Sequence, residues 1–309
     1  MTREPIVLVG VDGSDASFGA IDWAVKEAAQ LGWGVRLVCA YSLPAFSATS
    51  MDGGYGVMDE SQLVAGSESV MAQAVKHAGT EVPVTTEVIA GDPTHVLAEM
   101  SKSASMVVIG KHKGSGLANR LLGAVSSSLP PLAHCSTVVV PHRGETKPLR
   151  MPLKRIVVGV DNSDSAKGAL RRAMREARIW DAELTAFSAV AIIQGAGAFA
   201  FMPPATDHDE ILASVREGLD VTVAQALEES GSSITIRRHA LDGNAAALLT
   251  EFSTAVDLVV VGTRGRGGFA GLLLGSTSQA VMSHASCPVM VVPSRVKDDD
   301  FPSTFPWQQ

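Results

Sequence analysis

Cysteine is scarce: the 309-residue chain holds three, Cys39, Cys135 and Cys287. An odd count without CxxC spacing excludes a disulfide framework and a thiolate zinc site, and leaves small apolar residues suited to a reducing compartment. The eight histidines form no HxxxH or HExxH pair, which argues against a zinc centre. His95, His112, His134, His142 and His284 read as surface or loop residues. A cationic excess is also missing. The 25 Lys and Arg against 32 Asp and Glu leave a formal charge of −7, which argues against a nucleic-acid surface but permits a local anion site. No apolar run reaches the roughly 18 residues of a membrane-spanning helix. The opening MTREPIVLVG lacks the long apolar stretch and cleavage site of a signal peptide, so the expected setting is the cytoplasm. No GxxxxGK[ST] occurs, which excludes a P-loop.

What is present is a buried-protein composition, 46% hydrophobic with 18% charged residues, in a chain long enough for two domains. The chain repeats itself. The stretch IVLVGVDGSDASFGAIDWAVKEA from Ile6 aligns with IVVGVDNSDSAKGALRRAMREA from Ile156, placing Asp12 on Asp161 and Gly19 on Gly168. Farther on, MVVIGKHKGSGLANRLLGAVSS from Met106 aligns with LVVVGTRGRGGFAGLLLGSTSQ from Leu258, and Cys135 falls on Cys287. One unit is therefore written twice, as domains over 1–143 and 153–294, followed by a tail over 295–309 expected to be flexible. The join lies in the proline-containing stretch Pro141–Lys154.

Each copy alternates short apolar runs with helical periodicity. In the first, strands are predicted over Ile6–Val11, Val35–Tyr41, Val82–Ala90, Met106–Ile109 and Thr137–Val140. Helices are predicted from Ser14, over Ser61–His77 and Thr94–Ser101, and after Gly123. The second copy follows suit and ends on Pro288–Val292. Continuous apolar strands separated by helices imply a doubly wound parallel α/β sheet of five strands in each copy, covered on both faces. Such sheets bind ligands beyond the carboxyl ends of their strands, where the winding reverses.

That rule bears on VVVGTRGRGGFAGLLLGSTS, Val259–Ser278, where five glycines fall within ten positions. Parallel strands would bring the end of Leu258–Val261 beside Asp161. Gly265, Gly267 and Gly268 would turn main-chain amides into a concavity, and the helix starting near Ser276 would aim its positive end the same way, an arrangement suited to phosphate. Arg264 and Arg266 read equally as solvated charges and as phosphate partners. GRGGFA at Gly265–Ala270 fits GxGxxA, but it neither follows the first strand nor precedes an acidic residue about 20 positions on, as a dinucleotide fold requires.

GTRGRGGFAGLLLGS is similar to the G-x2-G-x9-G-[S/T] signature of ATP-binding universal stress proteins, through Gly262, Gly265, Gly275 and Ser276. The VGVDxS opening of each copy, Gly10–Ser14 and Gly159–Ser163, and the CPVMVVP ending also resemble that family in its tandem form. The resemblance implies a flavodoxin-like, adenine-nucleotide α-hydrolase-like fold that binds ATP. It assigns Asp161 to the nucleoside side. Gly262, Thr263, Arg264, Gly265, Arg266, Gly267 and Gly268, with Gly275, Ser276 and Thr277, go to the phosphates, and Gly159 to close approach of the ligand. Asp161 is the candidate ligand for a magnesium ion. The first copy supplies Gly10, Asp12, Gly110, Gly114, Gly116 and Gly123. The resemblance also implies an internal pseudo-dimer in which Val138–Val140 pairs with Val289–Val292, and leaves open a homodimer and a protein partner.

The first copy departs from the signature. Lys113 stands for Gly265 and Ala124 for Ser276, so a weaker first site is expected: where the turn requires a positive φ, a lysine costs about 1 kcal/mol or more, and Ala124 removes a hydroxyl donor. Lys111 and Lys113 add charge there, and Gly114 and Gly116 could let the loop reshape. Pro130 and Pro131 replace Met282 and Ser283, so the helix after Gly123 is expected to end early. Neither copy offers an assignable general base, nucleophile or acceptor pocket. Any hydrolysis is therefore expected to be slow, and the nucleotide to act as a conformational ligand in stress regulation. The competing reading is a protein-interaction module with a vestigial nucleotide site.

Overall fold

The computed structural model describes residues 3–42, 60–111, 123–142, 150–191, 208–265 and 273–295. These residues form two compact units with the same sequence of elements.

In the first unit, β1 (Glu4–Gly10), α1 (Asp15–Leu31), β2 (Gly34–Tyr41), α2 (Glu60–Ala78) and β3 (Val84–Ala90) are followed by α3 (Pro93–Met100), β4 (Ala104–Lys111), α4 (Ala124–Leu132) and β5 (Ser136–Pro141). The strand order is β3-β2-β1-β4-β5, all parallel. The second unit repeats it with β6 (Arg155–Gly159), α5 (Asp164–Trp180), β7 (Glu183–Val190), α6 (His208–Ser230) and β8 (Ile236–Asp242). These lead into α7 (Ala245–Phe252), β9 (Leu258–Gly262), α8 (Ser276–His284) and β10 (Val289–Val292). Its order is β8-β7-β6-β9-β10, again parallel. Each sheet is the five-stranded, doubly wound parallel arrangement expected from the alternating pattern. The winding reverses between β1 and β4 and between β6 and β9.

The chemistry of the segments explains these elements. Val7, Leu8 and Val9 in β1, Met106 to Val108 in β4 and Leu258 to Val260 in β9 are almost wholly buried, as central strands covered on both faces must be. Helix α1 turns Ala20, Ile21, Ala24 and Ala28 inward and α5 turns Ala166, Ala169, Ala173 and Ala177 inward, so small side chains let each helix lie close on its sheet. Side-chain caps start the helices. Ser14 accepts from Ser17 N, Asp92 from His95 N, Ser163 from Ala166 N and Asn244 from Ala247 N. Cys39, Cys135 and Cys287 are buried free thiols.

Two expectations are corrected. Helix α4 spans nine residues, as does α8, despite Pro130 and Pro131. Both prolines lie in its last turn, where the helix has nothing further to propagate, and both are buried, so packing offsets the two missing amide donors. Left-handed backbone, the reason given for glycine at the Gly265 position, is absent there; among the described glycines it occurs at Gly13, Gly32, Gly79, Gly91, Gly231 and Gly243. No described helix is long and apolar enough to cross a membrane.

Candidate functional site

The second unit opens a cavity of about 460 Å³ at its switch point, a size typical of small-molecule sites. Its wall has two characters. Val160, Phe187, Ala189, Ala245 and Leu249 make an apolar side, while Asp161, Arg264, Gly265, Ser276 and Thr277 gather at the other.

The polar side is held by main-chain geometry. Asp161 leaves β6 and its Oδ1 accepts from Ser163 N at 3.1 Å and from Ser163 Oγ at 2.6 Å. Ser163 in turn caps α5, so the aspartate braces the capping residue instead of capping the helix itself. The segment after β9 is tied to the same corner: Arg264 N donates to Ser165 Oγ at 3.3 Å and Ser163 Oγ approaches Arg264 O at 3.4 Å. Gly275 N donates to Thr263 O at 2.7 Å, and the buried Ser278 Oγ donates to Gly262 O at 2.6 Å. Helix α8 is thereby fixed with its amino end at the cavity. Gly275 gives that end no side-chain cap, and its first-turn amides carry the positive end of the helix dipole.

Of the residues singled out in the sequence, Gly159, Asp161, Gly262, Arg264, Gly265, Gly275, Ser276 and Thr277 line this one cavity. Thr263 lies behind it, buried, with its hydroxyl 3.5 Å from that of Ser165. Arg266, Gly267 and Gly268 lie outside the described residues, as do Gly114, Gly116 and Lys113 of the first copy. Among the described residues that line the cavity Asp161 is the one carboxylate, and no group of three metal-ligating side chains occurs among the described residues.

The glycines owe their identity to room. A Cβ at Gly262 would sit 2.4 Å from Ser165 Oγ and 2.8 Å from the Ser165 main chain, where α5 begins against β9. At Gly265 it would sit 2.2 Å from Asp161 Oδ2. At Gly159 it would meet Leu249 Cδ1 at 3.2 Å, so the space spared beside β6 is shared between the cavity and α7. Gly275 is different, with nothing nearer than 3.5 Å.

The first unit keeps part of this plan. Ser14 N and Oγ donate to Asp12 Oδ1 at 3.0 and 2.5 Å, matching Ser163 on Asp161. A Cβ added at Gly110 would sit 2.3 to 2.8 Å from Ala16 and Ser17 main-chain atoms, and one at Gly10 would sit 2.9 Å from Leu97 Cδ1. Gly123 precedes α4 without a side-chain cap. At the end of β4, however, Lys111 replaces Thr263, and burial pushes its ammonium down to about 8.

Sequence reasoning missed the apolar wall, Ser165 and Ser278. Phe187, Ala189, Ala245 and Leu249 carry no motif, because ordinary core positions look the same. Ser278 lay within the quoted GSTS run, where its burial is invisible.

The model of the universal stress protein family matches residues 5–141 and 152–293. Universal stress protein Rv2005c of Mycobacterium tuberculosis is 32% identical over 298 residues, covering 92% of this chain and 96% of its own. Universal stress protein Rv1996 of the same organism is 30% identical over 311 residues, covering 95% and 96%. The crystal structure of a universal stress protein from Archaeoglobus fulgidus superposes with a TM-score of 0.67 at 19% identity, covering 94% of this chain and 97% of that one, a likeness of fold.

Proposed function

The chain belongs to the universal stress protein family, with two such domains in tandem, and on that premise we propose that its second domain binds ATP as a regulatory ligand. One observation carries the reading: a single cavity joins an apolar wall to an uncapped helix start and a glycine-lined turn. The apolar side, Val160, Ala189, Ala245 and Leu249, suits a purine. The amides of α8, the hydroxyls of Ser276 and Thr277 and the Arg264 side chain suit phosphate oxygens. Magnesium would arrive with the phosphates and shield their charge. Asp161 is the carboxylate available to it and, braced by Ser163, keeps that group in place.

Nothing in this lining offers a base to activate water, which supports a binding role with slow turnover at most. Hydrolysis would then reset a conformational state and not supply a product. The first domain, with Lys111 and Ala124 where the second has Thr263 and Ser276, is the weaker partner in this reading.

Mass analysis of nucleotides released from the purified chain, followed by calorimetric titration with ATP and magnesium, tests this. One tight site per chain, lost on substituting Ala189 by tryptophan, is the expected result. A chain that carries no nucleotide and takes up none would favour a protein-interaction module with a vestigial pocket.

A further inference from the structure

Asn162 follows Asp161 and adopts φ 62°, a left-handed conformation uncommon for any residue with a side chain. Its counterpart in the first unit is Gly13, with φ 79°. Glycine satisfies that turn without strain, so the asparagine contributes through its amide. In the first unit the side of Gly13 is filled by Val70, whose Cγ2 would lie 3.0 Å from an added Cβ. In the second, Thr222 Oγ1 on α6 donates to Asn162 Oδ1 at 2.6 Å and stands 2.9 Å from Gly218 O. Gly218 makes this possible: a Cβ there would lie 2.9 Å from Asn162 Nδ2. Thr222 is buried while Asn162 is partly exposed, and the contact floors an open hollow of about 410 Å³ bordered by Lys167, Ser214, Glu217, Val221 and Gln225.

Neighbouring residues of one short loop thus face opposite ways. Asp161 Oδ2 backs onto Gly265 at the cavity, while Asn162 grips α6. A left-handed residue next to a cavity-lining aspartate, held by a specific partner on a neighbouring helix, is a feature from which function can be inferred.

We propose that Asn162 and Thr222 form a latch that couples occupancy of the cavity to α6, so that nucleotide binding becomes legible on the outer surface of that helix. The proposal rests on the nucleotide reading above. A ligand that orders the Asp161 loop orders its neighbour, and the short hydrogen bond passes that ordering to Thr222. In the first unit, where methyl groups replace the bond, the corresponding helix is coupled only through packing.

Hydrogen exchange of α6 with and without ATP and magnesium, on the full chain, tests the latch. ATP slows exchange across α6 in the wild type and in Thr222→Ser, which keeps the hydroxyl. The effect disappears in Thr222→Val and in Asn162→Gly, whose glycine accepts the left-handed turn and so preserves the fold. Affinity for ATP falls by no more than about tenfold in those two variants, the scale of one neutral hydrogen bond. Full protection of α6 in Thr222→Val, or its loss in Thr222→Ser, overturns the latch and points to packing alone. ATP binding in the wild type without protection of α6 overturns it as well. Absence of any binding to the wild type is distinguished by calorimetry and overturns both readings.

Discussion

Replacing Gly265 by alanine separates the ligand site from the fold. The new Cβ would lie 2.2 Å from Asp161 Oδ2, whereas ordinary contact needs about 3.5 Å. Something must move by about 1 Å. Rotating the carboxylate would break the bonds that Oδ1 accepts from Ser163 N and Ser163 Oγ. Bonds to a charged group contribute about 1.5–3 kcal/mol each, so that route is the costlier one. Gly265 itself is exposed at the end of a turn, and its main chain yields first. An amide displaced by about 1 Å loses a charge-assisted bond to phosphate, so the dissociation constant for ATP rises by about ten- to a hundredfold. Calorimetric titration reads that change, and thermal unfolding followed by circular dichroism should show a midpoint within about 2 °C of the wild type, since surface changes rarely exceed about 0.5 kcal/mol. Unchanged affinity would show that the turn makes no contact with the ligand. A large fall in melting temperature would show that Gly265 serves the core.

Gly262→Ala and Gly110→Ala should behave in the opposite way, because their added methyl groups press on helix main chain that cannot rotate aside. Overpacking of about 1–3 kcal/mol should lower the unfolding midpoint by about 2–12 °C, measured by the same thermal scan, and midpoints equal to the wild type would refute the packing argument. Lys111→Met tests burial of the ammonium. The folded chain releases that proton near pH 8 while the unfolded chain holds it to 10.5, so wild-type stability relative to the variant should rise between those values and stay level below pH 8. Urea unfolding at pH 7 and pH 10 checks the sign, and a difference that does not change with pH counts against it.

The architecture was legible because the chain states it twice. Runs such as Val7–Val9 and Val259–Val261 have one solution when helices flank them on both sides, and the matched repeats require both halves to share one arrangement, whose strand order only the structure gives. The site was legible only in part. That Asp161 and Gly265 meet follows from parallel strands, yet the reason for glycine was misjudged. Local chemistry suggested an unusual backbone angle, whereas the structure shows a lack of space set by Ser165 and Asp161, about 100 residues away in the chain. Pro130 and Pro131 misled for a similar reason: the rule against proline weakens in a helix's final turn, and only the position of the next strand shows which turn is final. Asn162 stands where the aligned first copy has Gly13. An asparagine that replaces a glycine between aligned repeats signals a left-handed turn, as does Asp181 at φ 50° in place of Gly32 at φ 67°.

The crowding at Gly110 and Gly262 also limits how a duplicated chain can drift. A copy may shed a hydroxyl such as that of Ser276, or gain a lysine, without disturbing how its first helix seats on the sheet, but it cannot exchange those glycines so freely. Glycines shared by the two halves therefore record a mechanical obligation, and counting them is no measure of how many pockets in such a tandem chain are in use.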